Sequence, residues 1–271
     1  MDDLAELRKR VQDINWHHAI DLGNGIVTPG LSGKGTVSEK YIPDVAGRSV
    51  LDIGAWDGYF SFLAERRGAS RVVALDHYAW CVDLEARAEY WHTCRHYGRM
   101  PDLTKDETEF WRGEEMPGRA GFDLAKEALD SKVEPYVGDF MKADLDELGT
   151  FDVVLYLGVL YHMKEPLTAV ERVRKVTSGV AVIETEGVWV PGLDDESLLA
   201  FYPGDELSED FGNWYAPTEA GLHGLCRAAG FSRVETKAGP PRFGRKAQLL
   251  RLLGRRLPPV VNYRLLVYAY A

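Results

Sequence analysis

From residue 50 onward the chain alternates short apolar runs with segments whose apolar residues recur every three to four positions. Residues 50–53, 71–76, 133–137, 151–157 and 180–183 carry Val, Leu, Ile, Phe or Tyr at neighbouring positions rather than at every second one. Such runs predict strands buried on both faces. The intervening segments read as helices. Tyr59, Phe62 and Leu63 share one face of a helix that stops at Gly68, 122–129 and 166–176 continue the series, and Leu222, Leu225, Cys226 and Ala229 form a stripe before Gly230. Two further strands, 231–236 and 263–270, follow. Five βα repeats predict an α/β fold: a Rossmann-like doubly wound sheet with right-handed crossovers, mostly parallel, with an antiparallel C-terminal hairpin.

Three stretches stand outside this rhythm. Leu4, Leu7, Val11 and Ile14 predict an N-terminal helix over 2–13, and residues 16–30 are extended and rich in turns. Residues 1–47 are therefore expected as an N-terminal extension and 48–271 as the main domain. The stretch 80–119 is longer than a βα connection needs and holds Trp80, Tyr90, Trp91, Phe110 and Trp111, so it is expected as an aromatic-rich insertion. It reads equally as a lid over an apolar substrate or as a small satellite core. Between 240 and 258, Arg242, Arg245, Lys246, Arg251, Arg255 and Arg256 accompany a run of leucines. That segment reads as a solvated helix over the hairpin or as a basic patch for an anionic partner.

A net charge of −10 on 271 residues repels nucleic acid and anionic membranes on average, and 45% hydrophobic content is ample for a core. Three cysteines cannot all pair within the chain, which fits a reducing compartment. No apolar run is long enough to span a bilayer, and the opening Met-Asp-Asp lacks the pattern of a secretory leader. A cytoplasmic protein is expected. His17 and His18 are adjacent and point apart on a strand, and no motif fixes a third ligand beside His92 and His96, so no metal is expected.

Ligands of doubly wound sheets bind outside the carboxyl ends of the strands. Those ends carry Asp52 to Gly58, Asp76, Asp139, 158–162 and Glu184 to Glu186. The run Val-Leu-Asp-Ile-Gly-Ala-Trp-Asp-Gly passes through a tight glycine turn into a helix, and Asp76, ending the next strand, is placed to accept ribose hydroxyls of a nucleoside cofactor.

These residues resemble the class I S-adenosylmethionine-dependent methyltransferases. More specifically, Asp52-Ile-Gly with Asp57-Gly-Tyr, Phe151-Asp through Gly158-Val-Leu-Tyr-His, Glu184-Thr, and Pro203-Gly-Asp205 with Asn213 and Tyr215 resemble the tRNA wobble-uridine methyltransferases that use carboxy-S-adenosylmethionine, together with their bacterial relatives. The resemblance implies that Asp52, Gly54, Ala55, Trp56 and Gly58 hold the methionine end of the cofactor, Asp76 and His77 the ribose, and Asp139 and Phe140 the adenine. Leu157 and Gly158 would lie beneath the sulfonium, with Tyr161. His162 is the expected base, with Tyr161 and Glu184 as further catalytic candidates, although His162 also reads as a fold-signature residue that only hydrogen-bonds its loop. Expected substrate contacts are His18, Trp91, Trp111, Tyr202, Trp214 and Tyr215. In the tRNA family a lysine grips the extra carboxylate of the modified cofactor, and His18 stands at that position here. A neutral histidine is a poorer clamp, so the expected donor is S-adenosylmethionine rather than carboxy-S-adenosylmethionine. The expected acceptor is a small aromatic or apolar molecule of secondary metabolism, methylated on oxygen or nitrogen. The alternatives are carboxy-S-adenosylmethionine-dependent modification of tRNA and a noncatalytic S-adenosylmethionine-binding module.

Overall fold

The first strand, β1 (Ser49–Ile53), is buried from Val50 on and leads into α2 (Tyr59–Arg66), which follows an N-terminal helix α1 (Asp2–Gln12). In this computed structural model, residues 2–32, 37–193, 195–240 and 260–271 are described. Then come β2 (Arg71–Asp76), α3 (Tyr78–Cys81), α4 (Leu84–His96), α5 (Ala120–Ala128), β3 (Glu134–Val137), α6 (Leu145–Leu148), β4 (Phe151–Leu157), α7 (Pro166–Lys175) and β5 (Thr177–Trp189). A short ribbon of β6 (Leu199–Phe201) and β7 (Tyr215–Pro217) precedes α8 (Glu219–Ala228), β8 (Arg233–Ala238) and β9 (Val261–Tyr270). The sheet order is β3-β2-β1-β4-β5-β9-β8, the Rossmann-like α/β arrangement that the apolar runs imply.

The chain forms two compact units divided inside β4, one up to Val153 and one from Val154. In the first, β1, β2 and β3 pair in parallel. Ser49 donates through both its backbone N–H and Oγ to Asp152 at 2.8 Å, fixing the start of β4 beside β1. The N-terminal segment docks on this unit. Arg10 pairs with both carboxylate oxygens of Glu127 on α5, Trp16 Nε1 donates to the Val11 carbonyl at 2.9 Å, and Gly121 leaves room for the Trp16 ring. That docking sets the position of His17 and His18.

In the second unit β5 and β9 pair antiparallel from Val180↔Tyr270 to Trp189↔Val261. This corrects the sequence expectation of a strand ending at Ile183. The partner β9 satisfies the backbone of residues 184–189, so Glu184 and Glu186 are mid-strand residues rather than residues of a strand end. The basic segment 242–256 lies outside the described residues. Cys81, Cys94 and Cys226 are buried free thiols, and no helix among the described residues is long and apolar enough to cross a membrane.

The insertion holds a satellite core. Trp80, Trp91, Cys94 and Phe110 are buried, and Val82 bridges to Trp111. The Arg87 guanidinium lies 4.0 Å over Trp91 and 5.3 Å over Tyr78, and Asp106 bonds the Tyr78 hydroxyl. The cation is thus covered by aromatic faces and compensated by a carboxylate. Trp91, expected among the substrate contacts, is packed inside this cluster.

Candidate functional site

In the first unit the chain leaves β1 through three left-handed residues, Gly54 (φ 77), Trp56 (φ 47) and Gly58 (φ 82). A side chain at Gly58 would come within 2.6–2.7 Å of the Phe62 and Phe122 rings, so only glycine fits. Trp56 is the costly member, since a bulky residue in this region stores on the order of 1–3 kcal/mol. Neighbouring groups hold it there. Its N–H donates to Asp76 Oδ2 at 2.9 Å, its carbonyl accepts from Trp80 Nε1 at 2.6 Å, and its ring stacks on His17 with centroids 4.0 Å apart.

Two buried acids stand behind this loop. Asp52 accepts from Ser61 Oγ at 2.7 Å, and burial pushes its carboxyl up to about 6. Asp76 is also pushed up to about 6 by burial, against the opposing pull of the backbone N–H groups of Trp56, His77, Ala79 and Trp80. Its Oδ1 accepts from His77 at 2.7 Å and Ala79 at 3.0 Å. Asp76 therefore builds the loop. A left-handed glycine turn with buried carboxylates behind it suits a cationic nucleoside such as S-adenosylmethionine. At the end of β2 the His77 ring lies 4.6 Å from Trp111 and is held below its ordinary range by burial, against the nearby charge of Asp139. Asp139 caps the following turn through Met141 N–H at 2.9 Å and pairs with Lys142, and Phe140 beside it is buried.

His18 and Asp57 form a pair that no local pattern joins. Asp57 Oδ2 accepts the His18 backbone N–H, and Oδ1 contacts His18 Nδ1, both at 2.6 Å, with both residues buried. His18 stacks on Tyr59 and meets Phe60 edge-on.

In the second unit, Gly158 (φ 72) follows β4 and donates its N–H to the Glu184 carbonyl at 3.1 Å. Half-buried Leu157 precedes it. Because Glu186 pairs with Arg264 across β5 and β9, residues 184, 186 and 264 share one face. Arg264 bonds both carboxylate oxygens of Glu184 and reaches Glu186 Oε1 at 2.9 Å. Burial raises the Glu184 carboxyl, and Arg264 opposes that shift. Both carboxylate oxygens of Glu184 are thus held by a guanidinium. Tyr161 lies against Arg264, with the guanidinium 5.1 Å from its ring, and burial raises its hydroxyl. Arg264 was missed in the sequence because nothing local separates it from any other strand residue.

His162 is exposed, and its Nδ1 bonds the Gly212 carbonyl at 3.0 Å. Trp214 N–H donates to the Tyr161 carbonyl at 2.8 Å, and Tyr202 N–H to the Trp214 carbonyl at 2.9 Å. These bonds, with that of His162, strap the 203–215 loop to the turn after β4. Tyr202 also donates to Asn262 Oδ1, Trp214 lies under Lys164, and Tyr215 packs against Phe201.

A methyltransferase domain model matches residues 36–236. The chain is 24% identical over 199 residues to the tRNA U34 carboxymethyltransferase of Desulfotalea psychrophila, covering 73% of this chain and 49% of that protein. It is 27% identical over 194 residues to the enzyme of that name from Pseudomonas putida, covering 70% and 48%. The chain thus spans about half the length of these curated relatives. Among solved structures, the N-terminal domain of EvdMO1 with SAH bound superposes with a TM-score of 0.60 at 18% identity, covering 99% of this chain and 97% of that one. EvdMO1 itself gives a TM-score of 0.55 at 17% identity, covering 98% and 47%. These two establish likeness of fold.

Proposed function

The chain belongs to the methyltransferase-domain family, with S-adenosylmethionine as its cofactor, and from that premise we propose that it methylates an oxygen or nitrogen of a small aromatic or apolar molecule of secondary metabolism. The observation that carries this reading is the Gly54–Gly58 turn with Asp52 and Asp76 behind it. The cofactor supplies an electrophilic methyl on a cationic sulfur. The chain's own residues orient it: the loop fixes the methionine end, Asp76 stands at the end of β2 for the ribose, and Asp139 and Phe140 stand at the end of the next strand for the adenine. Methyl transfer then needs in-line placement of the nucleophile and removal of a proton where the nucleophile carries one.

Two sets of contacts support an unmodified donor and a small acceptor. The His18 backbone N–H and ring Nδ1 are both engaged by Asp57, and Arg264 is compensated by Glu184 and Glu186, so these groups are committed to carboxylates of the chain. The net charge of −10 adds nothing favourable toward tRNA. The names of the curated relatives favour a second reading, action on tRNA.

Calorimetry with S-adenosylmethionine and carboxy-S-adenosylmethionine, followed by S-adenosylhomocysteine release with small hydroxyl and amine compounds, tests the first reading. The expected result is binding of the unmodified donor, lost in Asp76→Ala, and turnover with a small molecule. Preference for the carboxylated donor together with retention of bulk tRNA on filters at low salt would establish the second reading instead.

A further inference from the structure

Asp57 holds His18 at two points, backbone N–H and ring Nδ1, each at 2.6 Å. A ring gripped in this way cannot swivel, and an Nδ1–H donated to a carboxylate places the lone pair of the neutral ring on Nε2. Asp57 belongs to the same turn as Trp56, so the pair is built onto the loop that holds the methyl donor. Its side chain is 2% exposed and that of His18 is 10% exposed. Such burial makes the carboxylate an effective compensator of any charge that forms on the imidazole.

The other groups around His18 agree with this. His17 meets it edge-on from the same segment, and Tyr59 stacks on it from the head of α2, with its hydroxyl committed to Glu39 at 2.7 Å. Asp52, at the end of β1, interacts with it electrostatically. The charged neighbours named here are carboxylates, which suit a ring that gains a proton. In the second unit, Glu184 is held at both oxygens by Arg264, the Tyr161 hydroxyl lies against Arg264, and His162 is exposed with Nδ1 bound to the Gly212 carbonyl.

We propose that the His18–Asp57 pair is the general base of the transfer, and that the acceptor presents a hydroxyl whose proton passes to His18 Nε2. The inference rests on the methyl-transfer reading above. As the acceptor oxygen forms its bond to the methyl carbon, the carbon–sulfur bond breaks and its electron pair stays on sulfur, neutralising the sulfonium. The hydroxyl proton goes to Nε2, the imidazolium so formed is compensated by Asp57, and solvent later takes the proton. A hydroxyl acceptor is specified because an amine attacks in its neutral form and sheds its proton afterwards, whereas a neutral hydroxyl is a poor nucleophile until its proton leaves.

His18→Asn tests this, because the asparagine amide takes the place of Nδ1–H and keeps its bond to Asp57 while removing Nε2. The probes are S-adenosylmethionine with a series of substituted phenols of graded acidity and a set of aliphatic alcohols, read as S-adenosylhomocysteine released. The expected result is a fall in kcat of about 10²–10⁴-fold on the least acidic acceptors. The fall shrinks for phenols already ionised at the assay pH, and the Kd for S-adenosylmethionine stays within twofold. The pH–rate profile of the variant then follows the ionisation of the phenol alone. Asp57→Asn lowers kcat on the same compounds with little change in KM. If His18→Asn fails to fold by circular dichroism, His18→Gln takes its place.

Wild-type kcat and pH profile in the folded His18 variant overturn the proposal, as does a loss that appears in His162→Asn and not in His18→Asn. A wild-type protein that binds S-adenosylmethionine but turns over with amines alone removes the hydroxyl-acceptor inference and leaves the methyltransferase reading standing. A wild-type protein that does not bind S-adenosylmethionine removes both.

Discussion

Asp52 is a buried carboxyl with a single hydroxyl donor, Ser61 Oγ, and a second buried acid, Asp76, acting on it. Replacing it by asparagine keeps an acceptor for Ser61 and abolishes the titration. Moving a carboxyl from its ordinary 3.8 to about 6 disfavours the ionised form by about 3 kcal/mol. The sign follows from which state holds the proton. Between pH 3.8 and 6 the folded protein keeps the proton and the unfolded chain releases it. Stability from this group is therefore greatest below pH 4, falls as pH rises to about 6, and is level above. Asp52→Asn removes that fall, so the variant matches the wild type near pH 4 and exceeds it by up to about 3 kcal/mol above pH 6. Urea unfolding followed by tryptophan fluorescence at pH 4.5 and 7.5 measures it, with the variant-minus-wild-type difference cancelling the other groups that titrate. A difference that is the same at both pH values, or a variant less stable at pH 7.5, would refute the account of a costly buried carboxylate.

Further consequences follow from neighbouring features. Gly58→Ala forces a Cβ to within 2.6–2.7 Å of two aromatic rings at a left-handed φ, and is expected to cost about 2–4 kcal/mol in urea unfolding. Arg264→Met leaves Glu184 buried without its counter-ion, an expected loss of about 3–5 kcal/mol at pH 8. Because burial already raises that carboxyl, the loss should shrink as pH falls and Glu184 takes a proton, and Glu184→Gln in the same chain should restore much of it. Trp91→Ala opens a cavity in the insertion core and frees Arg87, with an expected cost of about 3–5 kcal/mol, seen as faster proteolysis within residues 80–119.

The elements that local pattern specifies were legible in the sequence. Val50–Ile53 and Arg71–Asp76 are strands because their apolar runs suit burial on both faces, and the Gly54–Gly58 turn announced itself by its glycines. What was not legible depends on pairing across long separations. Glu184 reads as a strand end until β9 is laid against β5, and its partner Arg264 stands 80 residues away. His18 and Asp57 are 39 residues apart, and neither residue type signals the other. The insertion was ambiguous for a related reason: a row of aromatics looks the same whether it faces a substrate or a buried arginine. The left-handed conformation of Trp56 is likewise imposed by Asp76, Trp80 and His17, since tryptophan has no preference for it.

The place of β9 in the sheet also bears on how the chain is made. This strand lies between β5 and β8, so both of its neighbours are synthesised before it. At about 5–20 residues per second, the 80 residues separating Glu184 from Arg264 take the ribosome about 4–16 s. Throughout that interval β5 emerges with one long edge open and two glutamates lacking their counter-ion. Charged side chains on an open edge disfavour its pairing with a neighbouring nascent chain, and the arginine's late arrival both neutralises the strand and completes the sheet.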